Sequence, residues 1–144
     1  MEIPRELRSQ DFWLELRKEV FPDGRIGENE CDAWSIKTYR LLEALGFAEF
    51  FEAMRISNQK IPELKKNGLK FHKWLELRVA DERIFLADGT TGQIFSRYPS
   101  GFYGRVEEIP FEMSDFYNRS AKIDTPNPRR QATNIINYSP VYFR

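Results

Sequence analysis

Three residues of this chain carry side chains that together can build a nucleophile: Cys31, His72 and Asp88. Cys31 is the only cysteine and His72 the only histidine among 144 residues. A thiol becomes a strong nucleophile when a neighbouring imidazole takes its proton, and a carboxylate can orient and stabilise that imidazole. These residue types therefore predict a thiolate nucleophile, provided that the fold brings the three side chains together.

His72 and Asp88 lie on two segments that have the pattern of a β-hairpin. Residues 70–79 alternate along a strand, 80–83 form a polar turn, and the apolar run 84–87 ends in Asp88–Gly89–Thr90. Strands pair about 4.8 Å apart, and a separation of 16 residues suits two paired strands with a short turn. We therefore predict that Asp88 accepts a hydrogen bond from His72.

Cys31 stands where a helix is expected to begin. The apolar positions that follow have helical spacing, and Gly46 is a typical stop signal. The free N–H groups and the positive dipole end of a helix N-terminus favour a thiolate and can hold an oxyanion. The carboxylates of Glu30 and Asp32 oppose thiolate formation. A free cysteine is also often a small buried hydrophobe, so a structural role stays open.

The remaining segments predict a single α+β domain over residues 1–144, with N-terminal helices packed on an antiparallel sheet. Residues 9–21 form an amphipathic helix capped by Ser9, with Arg17 on its polar face. The spacing over 47–56 fits helix and strand and favours helix. We expect a helical turn at 62–66, an edge strand within 102–113, a short helix at 114–119 capped by Ser114, and an extended C-terminal segment over 120–144.

Composition narrows the class of protein. Lys plus Arg and Asp plus Glu are both 22, and this neutral balance argues against a nucleic-acid-binding protein. No apolar run is long enough for a membrane span, and the N-terminus lacks the apolar region of a secretory signal. We therefore expect a protein that is cytoplasmic, or secreted or delivered without a recognisable signal peptide, and that does not bind membranes.

Three short motifs carry a resemblance to a known superfamily. They are CDAWSIKTYRLLEALG from Cys31, His-x-Trp-x-Glu at 72–76, and Asp-x-Thr at 88–90. In this order and at these spacings they resemble the transglutaminase-like branch of the papain-like cysteine enzymes. The match covers roughly residues 29–93 and leaves most of 102–144 outside.

The resemblance implies a papain-like or transglutaminase-like fold with Cys31, His72 and Asp88 as catalytic residues. Trp74 and Asn29 would be supporting residues, with Asn29 or Trp34 as candidates for a second oxyanion donor. It implies no cofactor and no metal, and a protein or peptide as substrate.

The expected activity is cysteine-dependent acyl transfer or hydrolysis at amide bonds, of the protease, glutamine deamidase or transglutaminase type. An effector or toxin domain fits this expectation as well as a housekeeping hydrolase. The alternative is a non-catalytic protein-interaction module that keeps the fold. A metal-dependent hydrolase ranks third, because no Cys-x-x-Cys or His-x-x-x-His spacing accompanies the three residues.

Overall fold

A four-stranded antiparallel sheet organises the chain. A computed structural model describes residues 3–23, 30–56, 60–80 and 82–123. The strands follow one another in space in the order in which they occur in the sequence. They are β1 (Phe51–Ile56), β2 (His72–Val79), β3 (Glu82–Asp88) and β4 (Phe102–Arg105). The fold class is therefore α+β, as the sequence predicts.

Helices cover both faces of this sheet. They are α1 (Gln10–Val20), α2 (Glu30–Ala44), α3 (Pro62–Lys66) and α4 (Phe111–Ile123). Ser9 is the N-cap of α1, and its side chain accepts a hydrogen bond from the Phe12 N–H. Gly46 follows α2 with a φ of 84°, a conformation that glycine adopts without strain. Both helix boundaries were predicted from these residues.

The sheet separates two apolar cores. Residues of α1 and α2 pack with Ala53, Leu75, Phe85 and their same-face neighbours on one side. Residues of α3 and α4 pack on the other side with Met54, Trp74, Leu86 and the strand residues that share their face. Because successive strand residues point to opposite faces, the central strands are buried on both sides.

The segment 47–56 forms a strand, so the predicted helix is wrong there. Only Ala48–Phe50 form a short 3₁₀ turn, after which β1 pairs with β2 from Phe51↔Leu77 to Ile56↔His72. Phe51 and Ala53 face one core while Met54 and Ile56 face the other. Burial on both faces removes the apolar–polar alternation that marks a half-exposed strand, and leaves spacing that also fits a helix.

The segment after β3 also differs from prediction. The strand within 102–113 is short and lies at the sheet edge, as expected, but α4 begins at Phe111 and continues to Ile123. Ser114 does not cap it, because its hydroxyl donates back to the Phe111 carbonyl 3.1 Å away. Residues 120–123 are therefore helical, and the rest of the predicted extended segment, 124–144, lies outside the described residues.

Candidate active site

The β2–β3 hairpin brings His72 and Asp88 together. His72 is the first residue of β2 and Asp88 the last of β3. The register Leu75↔Ala87, extended by one residue, places Trp74 opposite Asp88, so that His72 is its diagonal neighbour on the same face. Nε2 of His72 lies 2.6 Å from Oδ2 of Asp88, and both side chains are fully buried. The predicted hydrogen bond is confirmed.

The Asp88 carboxylate is held by four donors. Oδ1 accepts from the Thr90 N–H at 2.9 Å and from the Thr90 hydroxyl at 3.2 Å. Oδ2 accepts from His72 and from the Tyr117 hydroxyl of α4. The Thr90 bonds form a local turn that fixes the carboxylate, which gives the Asp-x-Thr spacing a physical reason. Asp88 therefore presents a fixed oxygen to the imidazole.

Arg17 of α1 holds the segment that follows Asp88. Its Nε donates to the Gly89 carbonyl at 2.9 Å and its Nη2 to the Pro99 carbonyl at 3.0 Å. The prediction that Arg17 faces solvent is wrong, because these carbonyls draw its guanidinium into the interior. Gly89 packs so closely on Trp34 that a Cβ there would lie 1.9 Å from the indole Nε1. The turn that carries Asp88 is thus fixed from two helices.

Cys31 is the second residue of α2, as predicted for a residue at a helix start. The first four N–H groups of an α-helix lack partners within the helix, and the backbone N–H of Cys31 is one of these four. The Cys31 thiol is among the groups that raise the pKa of His72, so it lies near the imidazole. Nε2 of His72 is taken by Asp88, and Nδ1 has no hydrogen-bond partner among the described residues. Nδ1 is therefore the nitrogen left to act on the thiol.

The environment favours a charged imidazole beside a charged carboxylate. Burial alone would lower the pKa of His72, but the charge and hydrogen bond of Asp88, together with Cys31, raise it from 6.5 to about 10. Burial would raise the pKa of Asp88, but the charge and hydrogen bond of His72 and the hydrogen bonds of Tyr117 and Thr90 lower it. The site thus stabilises a protonated His72, which can act as the counterion of a thiolate at Cys31.

One of the acidic neighbours of Cys31 is neutralised. Lys73, next to His72 on β2, forms a salt bridge with Asp32, next to Cys31 on α2. Both side chains are largely buried, at 11% and 14% exposure, so solvent screens this pair only weakly. The salt bridge offsets the negative charge of Asp32, which would otherwise oppose a thiolate at Cys31. It also ties the start of α2 to the start of β2.

Trp74 and Glu76 lie on the same strand face as His72. The Trp74 ring stacks on His72 with centroids 5.8 Å apart, and its Nε1 donates to Glu76 at 2.7 Å. The fully buried Glu76 carboxylate also binds Arg78 at 2.7 Å and Arg83 at 3.4 Å. Glu76 therefore holds two arginine side chains. Trp74 does not line an open cleft, because it is buried in the core formed with α4.

The Cys31 side chain is buried rather than exposed. Its exposed fraction is 1%, and those of His72 and Asp88 are 0%, so all three candidate catalytic residues are enclosed by the fold. The reason is that α2 lies close against the sheet, with small residues Ser35 and Thr38 on its buried side. A substrate can reach the sulfur only after a local rearrangement.

The two candidates for a second oxyanion donor have different outcomes. Asn29 lies outside the described residues. Nε1 of Trp34 is buried and has no hydrogen-bond partner among the described residues, and it lies against Gly89, next to Asp88. A role for either residue as an oxyanion donor stays a prediction.

Sequence reasoning missed Tyr117, the residue that shares Oδ2 of Asp88 with His72. It lies 29 positions beyond Asp88 on α4, and no local motif connects the two. Its only sequence signal is an apolar helical spacing with Met113 and Phe116, which predicts packing. The long-range contact depends on how α4 crosses the sheet.

The described part of the chain was compared with two further features, a metal-ion site and a membrane-spanning helix. There, no group of three or more His, Cys, Asp or Glu side chains is arranged to hold a metal ion. Within the same residues, no helix is long and apolar enough to cross a membrane.

Comparisons with models of protein families, with curated proteins and with solved structures found no match.

Proposed function

We propose that this chain is a transglutaminase-like cysteine enzyme that performs acyl transfer or hydrolysis on protein or peptide amide bonds. Cys31 is the nucleophile, His72 the general base and acid, and Asp88 the residue that orients His72. The observation that carries the proposal is that the two imidazole nitrogens of His72 have different surroundings. Nε2 is bound to a fixed carboxylate, and Nδ1 is left for a thiol in the first turn of a helix.

The proposed first half-reaction forms a thioester. Nδ1 of His72 takes the thiol proton, and Sγ of Cys31 attacks the amide carbonyl carbon. Free N–H groups at the start of α2 stabilise the negative oxygen of the tetrahedral intermediate. The C–N bond then breaks, and the leaving amine takes its proton from His72. Asp88 stabilises the imidazolium throughout.

The second half-reaction releases the acyl group. Water or an amine attacks the thioester carbonyl while His72 takes its proton, and the C–S bond breaks. Sγ leaves as a thiolate paired with the imidazolium. Water as acceptor gives proteolysis or deamidation, and an amine gives cross-linking, so the acceptor decides which activity results.

The burial of Cys31 favours a second candidate, a non-catalytic interaction module with the same architecture. A cysteine that is only 1% exposed is also expected where the residue has a purely structural role. The two candidates differ in one respect, because only an enzyme must let an acyl donor reach the sulfur and activate it there.

Acylation by an activated ester tests the proposal. Incubation with p-nitrophenyl acetate is expected to add one acetyl group to Cys31, with release of p-nitrophenolate. Intact-mass spectrometry and peptide mapping locate the group, and removal by neutral hydroxylamine identifies a thioester. The proposal fails if folded wild-type protein gains no hydroxylamine-sensitive acetyl group.

Cys31→Ala is the matched control for this experiment. Acetylation of surface lysines occurs in both proteins, whereas the thioester occurs in the wild type alone. If the variant releases p-nitrophenolate as fast as the wild type, Cys31 is not the nucleophile and the interaction module is supported instead.

A further inference from the structure

Helix α4 reaches the candidate active site through one hydroxyl. Tyr117 is fully buried and donates to Oδ2 of Asp88, the same oxygen that accepts from His72. Burial and the adjacent Asp88 carboxylate raise the pKa of Tyr117 well above its usual value, so the hydroxyl stays protonated and acts as a donor. A packing role alone would need a phenylalanine, not a tyrosine.

The backbone of Tyr117 is anchored separately. Nη1 of Arg83 donates to the Tyr117 carbonyl at 3.1 Å, and the same guanidinium binds Asn118 and the buried Glu76. The tyrosine ring also lies edge-on to Trp74, with centroids 5.1 Å apart. The Trp74–Glu76 pair on β2 therefore fixes the helix that carries the hydroxyl.

We propose that Tyr117 is a positioning residue of the active site, and that Arg83 and Glu76 hold it there by docking α4 on the sheet. This inference rests on the proposed function, since it assigns a role in the Cys31–His72–Asp88 system. The hydroxyl neutralises part of the charge on Oδ2, so that the proton between Asp88 and His72 stays on the imidazole. His72 then holds the thiol proton at Nδ1 as an imidazolium, beside the thiolate of Cys31.

Loss of the Tyr117 hydroxyl is expected to shift the pKa of Asp88 in one direction. A hydrogen bond to a carboxylate stabilises its charged form, so loss of the Tyr117 hydroxyl raises the pKa of Asp88. The carboxylate is then lost at a higher pH, and the imidazolium and thiolate lose their support with it. Other ionisable groups lie near His72, Asp88 and Tyr117, and removal of the Tyr117 hydroxyl leaves them unchanged. They are Arg17 on α1, Cys31 on α2, Glu76 on β2 and Tyr103 on β4.

Tyr117→Phe tests the proposal, because it removes the hydroxyl and keeps the ring. We expect the acid limb of the pH profile for iodoacetamide alkylation of Cys31 to move up by about one pH unit, and acetylation to slow by about tenfold. Met113→Leu is the matched control, a similarly sized change at a fully buried position of the same helix and core. It is expected to leave the acid limb in place.

A double-mutant cycle with Arg83→Gln tests the docking. Because Arg83 is proposed to act through Tyr117, the double variant should resemble Tyr117→Phe alone, whereas independent effects would add. The proposal is overturned if Tyr117→Phe leaves the acid limb at the wild-type pH, or if Met113→Leu moves it equally. Additive effects overturn the assigned role of Arg83.

These experiments separate the role of Tyr117 from the proposed function. If the wild-type alkylation profile depends on His72 but not on Tyr117, the proposed function stands and the role of Tyr117 falls. If the wild-type profile is that of an ordinary thiol and is unaffected by His72→Gln, both fall together.

Discussion

Replacing His72 by glutamine is expected to lower the rate of Cys31 acylation by about 10³-fold, the usual range for loss of a general base. Glutamine can still bond to Asp88 but cannot take and return a proton at the thiol. It also fills most of the space of the imidazole, whereas alanine would leave a cavity at a fully buried position. The measurement is the p-nitrophenolate release rate at neutral pH, with folding checked by circular dichroism.

Trp74→Phe is the control for this effect. Trp74 stacks on His72 and bonds to Glu76, so its replacement disturbs the surroundings of the imidazole and leaves the proton chemistry intact. We expect a loss of less than about tenfold, the scale of one supporting contact. If Trp74→Phe lowers the rate as far as His72→Gln, the supporting role assigned to Trp74 is wrong.

Replacing Glu76 by glutamine is expected to lower the free energy of unfolding by about 3 kcal/mol, as for other broken buried ion pairs. Glu76 is fully buried, and the Arg78 and Arg83 side chains that bind it are only 14% and 11% exposed. Glutamine keeps an acceptor for the Trp74 indole, so the loss measures the two ion pairs. Urea unfolding followed by tryptophan fluorescence measures the change.

Glu49→Gln is the matched control, because Glu49 is exposed on the 3₁₀ turn before β1. A surface substitution of this kind changes stability by less than about 0.5 kcal/mol. A Glu76→Gln variant as stable as this control would show that the buried carboxylate does not hold the sheet and α4 together.

The sequence predicts the hairpin with His72 and Asp88 because both signals are local. An alternating strand, a polar turn and Asp-x-Thr determine the pairing within 20 or so residues. The helix start at Cys31 is local too, with Gly46 marking the other end. These elements place the candidate catalytic residues without knowledge of the whole fold.

The parts that sequence reasoning missed depend on tertiary contacts. β1 has a helical spacing because both of its faces are buried, and only pairing with β2 decides its conformation. Tyr117 and Arg17 reach the Asp88 turn from helices 29 and 71 residues away in sequence. The burial of Cys31 likewise follows from how closely α2 packs on the sheet, which no local pattern specifies.

The ionisation of Cys31 tests the central claim most directly. Thiolate absorbance in the ultraviolet is measured against pH for the wild type and for His72→Gln, with the Cys31→Ala spectrum subtracted from each to remove the tyrosines. We predict thiolate absorbance at neutral pH in the wild type and its loss in His72→Gln, because the imidazolium of His72 stabilises the charged sulfur. A wild type without thiolate absorbance at neutral pH, or one whose absorbance is unchanged by His72→Gln, would contradict a thiolate–imidazolium pair in this protein.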